Sequence, residues 1–545
     1  MEVLDMSKYK HLWYEQEIQD LWPSRVSPPQ RLSISKEGMV ATQHYLATEA
    51  GARVLANGGN AIDAAVAAAF ALGVCEPAAS GLGGQTMMLI HLAGKRRTFA
   101  LDGSSRAPNR TSLKALPKEA RLLGHKATTV PSTPAVLDYA LKHYGTMKLE
   151  QILAPAVEYA KNGYAVSELQ FKLLKRVRDH IKGTGAANIY LKNGRRTYRV
   201  GEIFRQPVLA ATLERLAEFG INDFYNGHIA KQIHMDMKKN KGLIRDDDLA
   251  QIPLPIERRP ITCDFGGMKI FTFPPPGAGR TLIEMFNIIS NFPSKLRNID
   301  TPKGALLLSY VIQQALRDRG DRPFDPNFYA QVTKKKMVSP EYAKAVARTI
   351  RRQIRRQDSS QGETTHLSVM DKKGNVVALT QSIERVFGAC VATPKLGFLY
   401  NNYMIAFDDK NIRHAYYLRP NAVPWASVAP TIVSKGQKTW LAIGSPGSER
   451  IVSSIFQVIL RLRHQPPYTA VDAPRLHCSF DGVVSLESPR MRDDIPALLE
   501  QNGFQIKPRD PYSFYLGCVQ MVMREGQEFI GVADPRRDGS ASGPK

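Results

Sequence analysis

The first patterned segment is Met39-Val40-Ala41-Thr42, and a helical stretch over 45–56 follows it, ending in Asn57-Gly58-Gly59-Asn60. That cluster closes one helix and opens another. Glycine supplies the positive φ favoured just past a helix end, and Asn60 is a good N-cap. From 61 to 74 the chain is small and apolar on every side. The run is too short to span a bilayer and is interrupted by Asp63, so it predicts a helix enclosed by other layers. Ser80-Gly81-Leu82-Gly83-Gly84 is a flexible turn leading into a strand-like run over 86–92.

From about 130 to 358 helical periodicity dominates, as in Leu137, Ala140, Leu141 and Tyr144 before the Gly145 stop. Residues 260–273 turn extended and end in Pro274-Pro275-Pro276-Gly277-Ala278-Gly279, a hinge before another helix. At Thr364 the character changes. His366-Leu367-Ser368-Val369-Met370, the turn 371–375 and the run 376–381 predict an antiparallel hairpin, with Leu367 and Val369 on one face. Further strands are predicted at 431–433, 439–443, 483–486 and 519–522, so the last third is the sheet-rich part. No internal repeat is evident.

Composition changes this picture little. With 43% hydrophobic and 23% charged residues among 545, the chain can bury a large core, which excludes disorder and a disulfide miniprotein. The balance of 74 Lys plus Arg against 50 Asp plus Glu gives +24 and raises nucleic acid as a partner. The distribution argues against it. The densest basic stretch, 334–356, carries no recognised nucleic-acid motif and reads as a solvated helix or tether. Five scattered cysteines without CxxC spacing point to a reducing compartment, and no apolar run marks the first twenty residues as a secretory signal. A cytoplasmic protein without a membrane partner is expected.

No Walker loop, dinucleotide fingerprint, Gly-x-Ser-x-Gly elbow or His-Glu-x-x-His is present, so no metal or cofactor is expected. The unusual place is Gly362-Glu363-Thr364-Thr365-His366, where a basic polar tether meets a strand. A hydroxyl there can become a new N-terminus. Several stretches carry a resemblance: Asn57-Gly58-Gly59-Asn60-Ala61-Ile62-Asp63, Gly81-Leu82-Gly83-Gly84, Thr364-Thr365-His366-Leu367-Ser368-Val369, Asn401-Asn402, Ala429-Pro430-Thr431, Gly444-Ser445-Pro446-Gly447 and Asp534-Pro535-Arg536. In this order they resemble the γ-glutamyltranspeptidases, within the N-terminal-nucleophile hydrolases.

The resemblance implies an α+β fold, a four-layer αββα sandwich, with a proenzyme cut between Glu363 and Thr364. The expected organisation is an arm over 1–38, a helix-rich part over 39–363 and a sheet-rich part over 364–545, the two fragments remaining partners. Thr364 would be the nucleophile and its freed amine the base. An α-amine with a pKa of about 7.7 to 8.0 is partly neutral near physiological pH. Ser382 would hydrogen-bond the hydroxyl, and the N–H groups of Gly447 and Ser448 would form the oxyanion hole, each such donor typically lowering the barrier by roughly 3 to 4 kcal/mol. Read alone, Thr364 is also an ordinary strand threonine and Gly447 an ordinary turn glycine. His366 reads as structural.

The recognition half departs from the family. The arginine expected after Leu101-Asp102 falls on Ser104, with Arg106 as the nearest substitute, and the expected acid before Phe407 is Ala406. Glu384, Asn402, Tyr403 and Ser427 occupy the remaining substrate-binding positions. An ammonium without its carboxylate loses a charge-assisted bond of about 1.5 to 3 kcal/mol. The implied activity is hydrolysis or acyl transfer on γ-glutamyl amides such as glutathione, with water or an amine as acceptor. The alternatives are an acylase or amidase of the cephalosporin-acylase or oxamate-amidohydrolase kind, and a non-catalytic basic binding protein. Homo-oligomerisation is left open.

Overall fold

The computed structural model describes residues 30–113, 116–251, 255–320, 338–350 and 364–544. Glu363 and both ends of the basic stretch 334–356, at 334–337 and 351–356, lie outside the described residues, as does the arm up to residue 29.

Two seven-stranded sheets form the centre. One runs from edge to edge through Leu32–Ser35, Glu528–Ala533, Gln520–Glu525, Lys438–Gly444, Thr431–Lys435, Met268–Thr272 and Ile261–Phe265. The other runs through Ser540–Ser542, Gly38–Thr42, Thr365–Asp371, Val376–Ser382, Gln85–Leu92, Arg97–Gly103 and Ile256–Arg258. All pairings within the two are antiparallel. The sheets bury a common layer of small and medium apolar side chains, including Ala41, Leu89, Met370, Ala442 and Val522. Outside the second sheet, helices Tyr45–Ala56, Ala61–Cys75 and Leu149–Asn162 pack in one core. Outside the first, Gly279–Ile289, Pro302–Gly320 and Arg450–Arg461 pack in another. This is the expected αββα order.

The helix Ala61–Cys75 shows why local chemistry suffices here. Asn60 Oδ1 accepts from the N–H groups of Ile62 and Asp63, and Asp63 Oδ2 accepts from Asn60 N at 2.8 Å, a reciprocal cap. Asp63, which interrupts the apolar run, is fully buried because Thr146 and Met147 also donate to it. The predicted hairpin is present, with Thr365 opposite Gln381.

Two expectations need correction. Residues 32–35, assigned to the arm, form an edge strand held by antiparallel pairing with 528–533; Ile34 is exposed and Ser33 is the buried residue, so pairing and not apolar alternation defines it. The helix-rich first part also supplies two of the seven strands of one sheet and four of the seven of the other, so the division into a helical and a sheet portion describes composition and not architecture.

Candidate active site

The hairpin register places Thr364 one step beyond the Thr365–Gln381 pair, beside Ser382. Their hydroxyls are 3.5 Å apart, with Thr364 Oγ1 as donor, and both residues are buried. Ser382 Oγ also accepts from the backbone N–H of Glu384 at 2.8 Å. From the neighbouring strand, Gly84 approaches so closely that a Cβ would stand 2.5 Å from the Ser382 carbonyl. The glycine-rich turn 81–84 therefore lets the backbone pass behind the site.

Thr364 is held by residues far away in sequence. Arg537 Nη1 donates to the Thr364 carbonyl at 3.2 Å and to Gln43 Oε1 at 3.2 Å, and it pairs with Glu76 at 3.4 Å. Glu76 in turn accepts from Thr365 Oγ1. Behind Arg537 lies a fully buried ion cluster of Arg475, Asp534, Arg536 and Glu487. Burial alone would raise the Asp534 carboxyl, but the Arg475 and Arg536 charges override it and hold the group below the usual range.

The facing sheet brings the other half. His366 sits against Gly444, where a Cβ would come within 2.2 Å of the ring, and Ser368 Oγ donates across the sheets to Gln520 O. The chain leaving Gly444 thus runs past the end of the sheet from which Thr364 enters. It makes the turn Ser445-Pro446-Gly447-Ser448, with φ of +115° at Gly447 and +53° at Ser448, before helix Arg450–Arg461. A positive φ at serine is uncommon. Ser427 Oγ lies 3.5 Å from Ser448 Oγ. His366 is buried among Thr380 and Ser368, and burial drives its pKa down to about 3, so it is a neutral structural residue as expected.

The remaining recognition residues divide. Glu384 stands next to Thr364 and Ser382 in a left-handed conformation, and burial pushes its carboxyl up to about 7 against the pull of Arg385 and Arg319. Tyr403 is buried behind Ser382. Desolvation, then the Glu384 charge, raise the pKa of its phenol. Asn402 Nδ2 donates to Leu122 O and its Oδ1 accepts from Arg385 N, so both ends of the amide hold loops. Arg106 turns toward the 420–422 loop, its Nη1 donating to Asn421 O at 3.4 Å. Ser104 closes on Asp102, which already pairs with Arg258. Sequence reasoning missed Glu76 and Arg537. Arg537 follows a quoted motif directly, and that proximity was the only available signal.

The family model described as Gamma-glutamyltranspeptidase matches residues 47–544. A glutathione hydrolase proenzyme of Bacillus subtilis (strain 168) is 31% identical, over 96% of this chain and 94% of that protein. An acylase ACY 1 proenzyme of a Pseudomonas species (strain V22) is 32% identical, over 83% of this chain and 84% of its own. Among solved structures, the cephalosporin acylase from Bacillus halodurans superposes with a TM-score of 0.86 at 29% identity, covering 96% of this chain and 98% of that one.

Proposed function

Because the chain belongs to the γ-glutamyltranspeptidase family of autoprocessed amide hydrolases and acyltransferases, we propose that it is cut between Glu363 and Thr364 and that Thr364 then attacks an amide carbonyl. The freed α-amine takes the hydroxyl proton, and Ser382 orients the hydroxyl. The N–H groups of Gly447 and Ser448 stabilise the tetrahedral oxyanion as the C–N bond breaks and the amine leaves with a proton. Water or a second amine resolves the acyl-threonine. The observation that carries this reading is the buried Thr364–Ser382 contact at the mouth of a hairpin that the sequence anticipated.

The acyl donor follows the family default, γ-glutamyl amides such as glutathione. A second reading, an acylase with a changed acyl pocket, is favoured by Ser104, whose hydroxyl is engaged with Asp102 where a cation is expected, and by Ala406 in place of an acid. A cytoplasmic location belongs to the proposal, supported by five cysteines that are all buried free thiols. Intact-mass measurement tests the core. The wild type should yield fragments 1–363 and 364–545 and turn over a γ-glutamyl anilide. Thr364→Ala should remain one chain without turnover, and either cutting or activity in that variant would remove the assignment.

A further inference from the structure

The helical layer outside the first sheet holds a cavity that lies apart from Thr364. It has a volume of about 340 Å³ and sits where helix Arg450–Arg461 ends, with further walls from helices Pro302–Gly320, Pro467–Asp472 and Asp494–Gln501. The same helix begins just after Ser448, so its 12 residues put about 18 Å between this cavity and the turn at Gly447.

One carboxylate organises the polar side. Asp300 Oδ1 accepts from Arg461 Nε at 2.9 Å and from Arg461 Nη2 at 2.7 Å, and Asp300 Oδ2 accepts from Gln465 Nε2 at 2.8 Å. Because a carboxylate only accepts, the last contact fixes which end of the Gln465 amide is the nitrogen. Arg461 is 2% exposed, and its Nη1 is buried without a hydrogen-bond partner. Gln465 Oε1 is buried without one as well. Both residues line the cavity, so a charged donor and a neutral acceptor are held on one anchor with their bonding capacity unused.

A buried polar atom without a partner is costly, and in a native chain it calls for something that completes it. The charges around the cavity narrow what that is. Each lining arginine already has an acid: Arg461 has Asp300, Arg490 has Asp472, and Arg492, at the exposed edge, has Asp494. A site balanced in this way favours a ligand without net charge over a bare anion. Arg461 Nη1 matches a carboxylate, and Gln465 Oε1 matches an ammonium. The lining also includes Ile299, Leu308, Met491 and Ile495, which suit an apolar side chain. The volume falls at the lower end of small-molecule pockets, about 300 to 1,000 Å³.

We infer that this cavity is a second ligand site, for a free α-amino acid with an apolar side chain. Its carboxylate meets Arg461, its ammonium meets Gln465 and its side chain lies against the apolar lining. None of these residues belongs to the site at Thr364, so the inference stands independently of the acyl-threonine reading.

Isothermal titration calorimetry of the full protein with leucine, 4-methylpentanoate and 3-methylbutylamine tests it, the second lacking leucine's ammonium and the third its carboxylate. Leucine should bind at least about 10-fold more tightly than either. Gln465→Leu should weaken leucine by about 10-fold, to the level of 4-methylpentanoate, while 4-methylpentanoate itself changes by less than about two-fold. Met491→Trp, at a half-buried position of the lining, fills the cavity and should abolish binding of all three. Leucine affinity unchanged in either variant means that leucine is held elsewhere and overturns the inference. A wild type that binds 4-methylpentanoate as tightly as leucine, or that gives no saturable heat with leucine, overturns it too. Should Gln465→Leu fail to fold, as its thermal midpoint would show, Met491→Trp and the wild-type series still decide. A chain that never cuts yet binds leucine in this pattern removes the acyl-threonine reading and leaves this one standing.

Discussion

A carboxyl raised to about 7 beside a nucleophile has a consequence for stability that can be read without substrate. Unfolded, Glu384 titrates near the ordinary value of 4.5. Above about pH 7 the folded chain carries the cost of an ionised group in a desolvated place, and as pH falls from about 7 toward 4.5 the folded form takes up a proton that the unfolded form has not yet bound. That contribution to stability therefore improves on acidification and is flat below the unfolded value. Thermal denaturation of Glu384→Gln and wild type should show the variant's advantage at about pH 8 shrinking by about pH 5; a gap equal at both would contradict the assignment. In the proposed site, Thr364 and Gly447 lie within ordered motifs, while Ser382, Ser448 and Ser427 were placed by their distance from such motifs. Arg537 and Glu76 were not legible, because each acts through a partner hundreds of positions away, and nothing in local spacing records such a meeting.

Elements were legible where hydrophobic period and end signals agreed. The helix Ala61–Cys75, the hairpin around 371–375 and the strands 431–435 and 438–444 all follow patterns of that kind. Edge strands such as Ser540–Ser542 are too short and too polar to declare themselves, since their pairing and not their composition defines them. The reciprocal cap at Asn60 gives an element-scale test. Asp63→Ala strips partners from the N–H groups of Asn60, Thr146 and Met147 together, and a loss of about 2 to 4 kcal/mol in denaturant unfolding is expected. Between sheets, Gly444→Ala drives a methyl into the His366 ring and should cost about 1 to 3 kcal/mol while disturbing the turn at Gly447. A variant with wild-type stability and turnover would show that the sheets can shift apart locally.

At the scale of the molecule, the cut proposed before Thr364 falls between strands that remain neighbours. In one sheet Thr365–Asp371 lies between Gly38–Thr42 and Val376–Ser382, and in the other Glu528–Ala533 pairs with Leu32–Ser35. Scission thus leaves each sheet built from both fragments. The two should co-elute in size-exclusion chromatography under native conditions and separate only in strong denaturant; separation in plain buffer would count against the interleaved arrangement. The +24 charge has no counterpart among the residues of this site, and residues 334–337 and 351–356 of the basic stretch lie outside the described residues. Interleaving also sets a schedule for synthesis. The carbonyl of Thr364 is gripped by Arg537, and the strand before it pairs through Ala41 with Ala541. A nascent chain still on the ribosome, translated through residue 364 but short of 542, owns the reactive alcohol without the grip or the neighbouring strand. Truncation before Arg537 is therefore expected to leave the chain uncut, and intact-mass measurement of a product that ends short of Arg537 checks it.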